Sequence, residues 1–249
     1  RLISTCSQCG LCAEVCPQDI DVGYHLRKSH QFMRNKGSMP WVFHDFWLRD
    51  MQHARDGRHY AFHASPADRP RYLYFPGCQL AASEPRYVSG SYALLREKAE
   101  HTAILLGCCG APAVWAGDAP LERAATDEIR AVWQEYGQPI MALACPTCLK
   151  MFGEYLPEIE TVSLLTLYAE LGIFPPATER EGPEAARAAI FDPCSLRERP
   201  DVRQAARGLF ARAGYQLEEL PYHGRQAQCC SFGGQIDDTN PVYAKFLAE

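Results

Sequence analysis

Residues 72–78 read Tyr-Leu-Tyr-Phe-Pro-Gly-Cys, a short apolar run that ends in a glycine and a cysteine. Similar apolar runs recur along the chain and alternate with helical segments. This alternation is typical of an α/β fold with a largely parallel sheet. The predicted strands are Tyr72–Phe75, Thr102–Leu106, Ile140–Ala144, Ala188–Phe191 and Gln216–Leu220. The predicted helices are Pro85–Ala99, Leu121–Tyr136, Pro146–Leu156, Leu164–Leu171 and Val202–Ala213.

Cysteines follow four of these five predicted strands. The cysteines in these positions are Cys78, Cys108, Cys109, Cys145 and Cys194. The carboxyl ends of parallel strands meet at the same edge of a sheet, where open α/β folds bind their ligands. Buried cysteines that serve as small apolar residues would instead lie within the strands. The pattern therefore predicts a cysteine-rich site at this edge.

The composition narrows the class of protein. The chain has 249 residues, 47% of them apolar, which is enough to form a globular core without disulfides. The formal net charge is −5, from 25 basic and 30 acidic residues, so nucleic acid is not an expected partner. No apolar stretch is long enough to span a membrane. The unusual feature is the count of 12 cysteines.

The amino-terminal run from Cys6 to Pro17 has the spacing C-x2-C-x2-C-x3-C-P, with cysteines at Cys6, Cys9, Cys12 and Cys16. This is the spacing of ferredoxin-type segments that bind a 4Fe–4S cubane cluster. A zinc knuckle or two local disulfides are the alternatives, which the spacing disfavours. The fourth cysteine of such a run serves a different cluster in two-cluster ferredoxins. We therefore predict that Cys16 points away from the iron bound by the other three.

The first quarter of the chain differs from the rest in its high content of cysteine and histidine. We predict a ferredoxin-type iron–sulfur segment over residues 1–63, with helices Val22–Asn35 and Val42–Arg55, and a linker over residues 64–70. Six of the eight histidines lie between His25 and His63, and their spacing favours a polar surface over metal or haem ligation. The chain starts at Arg1 and stops inside a predicted helix, so we expect both ends to be trimmed.

A second group of cysteines, after the amino-terminal run, has the pattern C-x29-CC-G-x34-C-P-T-C. On spacing alone, a redox dithiol at Cys145 and Cys148 with three core cysteines is the alternative to a metal centre, but it leaves the vicinal pair unexplained. The segments Phe75-Pro-Gly-Cys-Gln, Cys108-Cys-Gly-Ala-Pro and Cys145-Pro-Thr-Cys resemble the cysteine-rich CCG domain family. The resemblance implies a non-cubane 4Fe–4S cluster held by Cys78, Cys108, Cys109, Cys145 and Cys148.

A third group of cysteines repeats the first half of this motif. Phe191-Asp-Pro-Cys-Ser precedes Cys229-Cys-Ser-Phe-Gly-Gly, and 34 residues separate Cys194 from Cys229. The repeat predicts two pseudo-repeated, Rossmann-like CCG halves, over residues 71–180 and 181–249. Ser231 stands where the motif has glycine, and a closing C-x-x-C would fall beyond residue 249. We expect a truncated second half, with an incomplete site at Cys194, Cys229 and Cys230.

The resemblance implies an iron–sulfur oxidoreductase subunit similar to heterodisulfide reductase. A disulfide would be reduced, or thiols oxidised, at non-cubane clusters fed by the ferredoxin-type cluster, with no protein acid or base as the principal catalyst. The alternative is an electron-relay subunit of a lactate, glycolate or glycerol-3-phosphate dehydrogenase; a weaker one is a zinc-binding interaction module. Iron-ligating thiolates indicate the cytoplasm. We expect a flavoprotein or hydrogenase-like partner, through which the chain could contact a membrane, and a small disulfide or thiol substrate.

Overall fold

The computed structural model describes residues 2–39, 44–56, 69–99, 101–174 and 186–248. The amino-terminal segment is helical: a 3-10 helix at Leu2–Thr5 is followed by α1 (Leu11–Val15), α2 (Val22–Asn35) and α3 (Asp45–Arg55). The helix α2 has the predicted bounds, with its first turn capped by the Asp21 side chain. The helix α3 begins later than predicted, because His44 is its N-cap. The predicted linker lies outside the described residues except for its last two.

The first half contains a four-stranded parallel sheet. Its strands are β1 (Tyr72–Phe75), β2 (Thr102–Ile104), β3 (Ile140–Leu143) and β4 (Thr161–Ser163), in the spatial order β2-β1-β3-β4. The strand β4 was not predicted, because three residues are too short to show a pattern. The strand β2 ends earlier than predicted, although the N–H of Leu105 still donates to the Tyr74 carbonyl at 2.8 Å.

Helices surround this sheet and follow the strands in alternation. They are α4 (Cys78–Ser83), α5 (Pro85–Lys98), α6 (Ala111–Ala116), α7 (Ala119–Glu135), α8 (Pro146–Tyr155) and α9 (Leu164–Glu170). The short helices α4 and α6 were not predicted. Each begins directly after a glycine with positive φ, at Gly77 and Gly110. These two turns redirect the chain from a strand end into a helix.

Both faces of the first sheet are covered, as in other parallel sheets. Alternate residues of β1 point to opposite sides: Leu73 and Phe75 join one apolar cluster, whereas Tyr72 and Tyr74 join another. All four residues of β1 are buried. The first cluster also includes Cys109 and Cys148, so the packing of this face continues into the cysteine-bearing loops.

The second half is smaller. Its strands β5 (Arg187–Ala189) and β6 (Gln216–Glu218) form a two-stranded parallel sheet around α10 (Pro200–Arg212), and α11 (Ile236–Thr239) and α12 (Pro241–Ala248) follow. Both strands are shorter than predicted, and Phe191 is exposed beyond β5. The helix α10 packs against α9 of the first half. The chain is thus α/β, with two halves that each contain a parallel sheet, as predicted.

Within the part of the chain that the structure describes, no helix is long and apolar enough to cross a membrane.

Candidate cysteine-rich metal centres

The first cysteine set comprises Cys78, Cys108, Cys109, Cys145 and Cys148, and strand ends bring its members together. Cys78 begins α4 after β1, the vicinal pair follows β2, and Cys145 caps α8 after β3. Cys148 lies in the first turn of the same helix. Because β2, β1 and β3 are parallel neighbours, their carboxyl ends deliver all five thiols to one edge of the sheet.

The thiols of the first set contact one another in a continuous series. The Sγ atoms of Cys78 and Cys108 lie 3.5 Å apart. The Cys109 thiol forms hydrogen bonds with those of Cys108 and Cys148, and Cys148 also contacts Cys145. All five line one cavity of about 40 Å³, called here the first cavity. Its other walls include Trp47, Trp115, Thr147 and Phe232.

Gly77 allows the close packing of this set. Its φ is +80°, a conformation that other L-residues rarely adopt, and a Cβ there would lie 3.1 Å from the Cys148 Sγ and 3.2 Å from the Cys145 Cβ. A side chain at this position would therefore push against two members of the set.

Hydrogen bonding lowers the pKa of two members of the first set and raises the pKa of others. A hydrogen bond from Cys148 and the N–H groups at the start of α8 lower the pKa of Cys145 to about 6, against the effect of burial. Hydrogen bonds from Cys108 and Cys148 lower the pKa of Cys109 to about 6. Cys78 donates to Cys108, and this bond and burial raise its pKa. Cys145 and Cys109 are therefore the members of the set that lose a proton most readily, and iron binds the deprotonated form of cysteine.

The second cysteine set comprises Cys194, Cys229 and Cys230. Cys194 follows β5, and Cys229 and Cys230 lie in the loop before α11. The Cys229 thiol contacts Cys194, Cys230 and also Cys9 of the amino-terminal run. These bonds and burial raise the pKa of Cys229, whereas the hydrogen bond from Cys229 lowers the pKa of Cys230 to about 6.

The amino-terminal run lies against this second set. Cys12 is in α1 and Cys16 caps its end, while the Cys6 Sγ accepts a hydrogen bond from the Gln8 N–H at 3.3 Å. Burial raises the pKa of Cys6, as do the nearby charges of Cys9 and Cys12. The orientation of Cys16 relative to a bound cluster remains a prediction.

Two buried charged residues near the second set hold its segments together, and cysteine spacing alone does not reveal them. Arg197, given no role by the motif pattern, is buried and donates to the backbone carbonyls of Cys9 at 3.4 Å, Ala227 at 2.9 Å and Arg225. Asp192 is buried and bonded to Arg207. Both are charged residues close to a cysteine in the sequence, which is the only signal that could have suggested them.

The two cysteine sets border adjacent cavities. A second cavity is lined by Cys194 and Cys230, and it shares Trp115, Thr147 and Phe232 with the first cavity. The ring of Phe232 contacts Trp115 edge-on, with centroids 5.8 Å apart, and Trp47 at 5.6 Å. An aromatic wall therefore separates the first set from the second.

The donor chemistry of the first set fits an iron–sulfur cluster. Five thiols exceed the four ligands of a zinc site, and soft thiolates favour iron–sulfur chemistry.

Among the described residues, no three or more His, Cys, Asp or Glu side chains are arranged to hold a single metal ion. His30 and His44 are buried and bond to the Trp115 carbonyl and the Gln235 side chain. His59 and His63 lie outside the described residues.

Comparison with known proteins identifies the family. The cysteine-rich domain family CCG matches residues 72–153 and 188–249, which together make up more than half of the chain. Both matched segments contain a cysteine set described above. Neither the search of curated proteins nor the search of solved structures gave a match. The CCG family occurs in heterodisulfide reductase subunits and related iron–sulfur proteins. With two such domains, each containing one of the cysteine sets, the chain belongs to the cysteine-rich CCG domain family of iron–sulfur redox proteins.

Proposed function

We propose that this chain is an iron–sulfur oxidoreductase subunit that reduces a small disulfide, or oxidises the corresponding thiols, in the manner of heterodisulfide reductase. The observation that carries the proposal is the convergence of Cys78, Cys108, Cys109, Cys145 and Cys148 on one cavity. A non-cubane 4Fe–4S cluster bound there would supply iron for sulfur binding and single electrons. The protein contributes the thiolates, the enclosure and the route for electrons.

The adjacency of the two cavities supports sulfur chemistry over simple electron relay. Cleavage of a disulfide gives two sulfur atoms, and each needs an electron and a proton to become a thiol. The first and second sets border cavities that share the Trp115, Thr147 and Phe232 wall. A substrate at this wall would have one cysteine set on each side.

The position of the amino-terminal run supports electron supply from that side. Lys150 donates to the Gln8 carbonyl at 3.2 Å, and Thr239 donates to the Ser4 carbonyl at 2.7 Å. The run is thus attached to α8, which bears Cys148, and the 3-10 helix just before the run is attached to α11 after the second set. The ferredoxin spacing, with Cys6, Cys9, Cys12 and Cys16, supports a cubane 4Fe–4S cluster in this run.

The proposal also covers the partner and the compartment. A chain that accepts electrons at an iron–sulfur run needs a donor, and we propose a flavoprotein or hydrogenase-like subunit for this role. Thiolates that await iron need reducing conditions, so we propose a cytoplasmic complex, with membrane contact only through that partner.

The test is anaerobic electron paramagnetic resonance (EPR) on the iron-loaded chain, poised oxidising, with 2-mercaptoethanol as the probe thiol. Its S-methylated analogue, which cannot bind as a thiolate, is the control. A cluster signal that appears or changes with the thiol alone would support disulfide chemistry. Normal, reducible clusters with no thiol-dependent change would contradict it and favour the relay function of a flavin-dependent dehydrogenase subunit.

A further inference from the structure

The amino-terminal run and the second half of the chain border a common cavity of about 610 Å³, called here the third cavity. Its lining includes Cys9 and Cys16 of the run and Cys194 of the second set. Arg197, three residues after Cys194 in the sequence, lines it as well. A charge at Arg197 is therefore close to both cysteine-bearing segments.

The guanidinium of Arg197 reaches from the second half to the run. It donates to the carbonyl groups of Cys9 at 3.4 Å and Ala227 at 2.9 Å, and also to that of Arg225. The bond to Cys9 joins two positions that are 188 residues apart in the sequence. A cation that belongs to the second half therefore lies at the backbone of the run, beside a predicted ligand of its cluster.

The charge of Arg197 is buried, since the residue is only 6% exposed. Within the described part of the chain its hydrogen-bond acceptors are backbone carbonyls, no carboxylate forms an ion pair with it, and its Nε atom is buried without a partner. Burying an arginine is costly unless negative charge lies nearby, and salt screens a buried charge only weakly. The burial therefore indicates a negatively charged group close to Arg197.

Two other arginines line the third cavity, and both are paired with carboxylates. Arg225 is exposed and donates to the two carboxylate oxygens of Glu14, each at 2.8 Å. Arg199 donates to Asp201 at 3.0 and 2.7 Å. Arg197 differs from these two arginines because its charge is both buried and without a carboxylate partner among the described residues.

Close backbone packing holds the run beside the second half. A Cβ on Gly233 would lie 2.5 Å from the Ser7 carbonyl oxygen, and a Cβ on Gly234 would lie 2.9 Å from the Ser7 Cα. Gly234 also has a φ of +68°, which favours glycine. The distance between the run and the second half, which bears Arg197, is therefore set by packed backbone.

The reduction potential of an iron–sulfur cluster depends on the charges and hydrogen bonds around it. A 4Fe–4S cluster held by thiolates is an anion, and its one-electron reduction adds a further negative charge without making or breaking a bond. We infer that Arg197 is the buried cation that favours the reduced state of the cluster in the amino-terminal run, so that the second half sets the potential at which electrons enter the chain.

This inference deepens the proposed iron–sulfur function and rests on it for the identity of the anion. It leaves unchanged the ligands that the spacing of the run predicts, which are Cys6, Cys9, Cys12 and Cys16.

The test is an anaerobic redox titration of the iron-loaded chain, followed by EPR of the reduced clusters. The signal that Cys12→Ser lacks identifies the cluster of the run. Arg197→Gln removes the charge but keeps a side chain that donates hydrogen bonds. We expect the reduction equilibrium of the run's cluster to shift at least tenfold towards the oxidised state, which is about 59 mV for one electron. The potential of a cluster at the first set should stay unchanged.

Arg199→Gln is the matched control, because Arg199 lines the same cavity but is paired with Asp201. Arg197→Lys keeps the charge, and we expect it to retain a potential close to that of the wild type. The inference is overturned if Arg197→Gln keeps the wild-type potential, or if Arg199→Gln shifts it equally. A tenfold shift in Arg197→Lys would also overturn it, and this outcome can be read even where Arg197→Gln does not fold. Circular dichroism verifies folding of each variant.

The redox titration and the thiol test of the proposed function can fail separately. If the thiol leaves the EPR spectra unchanged, the disulfide chemistry fails, but the potential of the run's cluster still tests Arg197. If the thiol changes the spectra while Arg197→Gln keeps the wild-type potential, the proposed function stands and the inference fails. A wild-type run that binds no cluster would overturn the inference as well, because Arg197 would then have no cluster to act on.

Discussion

The carboxylate of Asp192 accepts two hydrogen bonds from the Arg207 guanidinium, at 3.0 and 2.9 Å, just before Cys194 in the chain. The Gly224 N–H donates to the same carboxylate at 2.8 Å. Asp192 is 3% exposed. One buried side chain thus ties α10, the loop that leads to the second cysteine pair, and the segment that bears Cys194. The second set depends on this attachment for its geometry.

Asp192→Asn should destabilise the chain by about 2 kcal/mol, because it weakens the charged hydrogen bonds of a buried carboxylate, although Arg207 keeps its pair with Glu219. Asp201→Asn is the control. Its pair with Arg199 is half-exposed, so we expect less than about 1 kcal/mol. Urea denaturation of both variants measures the free energy of unfolding. Equal losses in the two variants would contradict the structural role of Asp192.

The ion pair of Asp192 should also make the free energy of unfolding depend on pH. Burial alone would raise the pKa of Asp192, but the Arg207 guanidinium and the Gly224 N–H outweigh it and hold the pKa below its ordinary value. The resulting stabilisation is present above the unfolded pKa of about 3.9 and is lost as the pH falls through the folded pKa. Wild-type stability should therefore fall more steeply than that of Asp192→Asn as the pH drops below about 4. Parallel curves would contradict this prediction.

The sequence predicts the first cysteine set well, because the positions of its cysteines depend on the strands that directly precede them. An apolar run followed by a cysteine places that cysteine at a strand end, and parallel strands bring such ends together. The structure has Cys78, Cys108, Cys109 and Cys145 in these positions. The contact of Cys9 with Cys229 could not be predicted in this way, because it depends on how the run packs against the second half. A Cβ on Gly234 there would lie only 2.9 Å from the Ser7 Cα. Similarly, no periodicity could show the three-residue strand β4.

Cys109→Ser should abolish the cluster of the first set and leave a cluster in the amino-terminal run intact. Cys109 is 5% exposed and contacts two other members of the set, so a serine there removes a central ligand. Iron and sulfide content and EPR of the reconstituted chain provide the measurement. Unchanged iron content in the folded variant would reject the five-cysteine assignment.

Gly77→Ala should impair the first site while all five thiols remain. The added Cβ would press on the Cys148 Sγ and the Cys145 Cβ, and the backbone strain at φ 80° and ψ 161° alone costs about 1–3 kcal/mol. We expect a loss of iron at the first site and a lower midpoint of unfolding. Gly90→Ala is the control, because a Cβ there meets nothing within 4 Å. Full iron loading of Gly77→Ala would show that the close approach is dispensable.

Phe232→Ala should open the wall between the two cavities. The Phe232 ring contacts Trp47 and Trp115, which line the first cavity beside Cys108 and Cys109. Without the ring, a bulky thiol reagent such as dithiobis(nitrobenzoate) should reach the first set of the apo chain several-fold faster.

Phe246→Ala, at an exposed position of α12, is the matched control. Peptide mapping assigns the modified cysteines. If Cys108 and Cys109 react at the wild-type rate in Phe232→Ala, the wall does not limit access, and a substrate must approach the first set by another route.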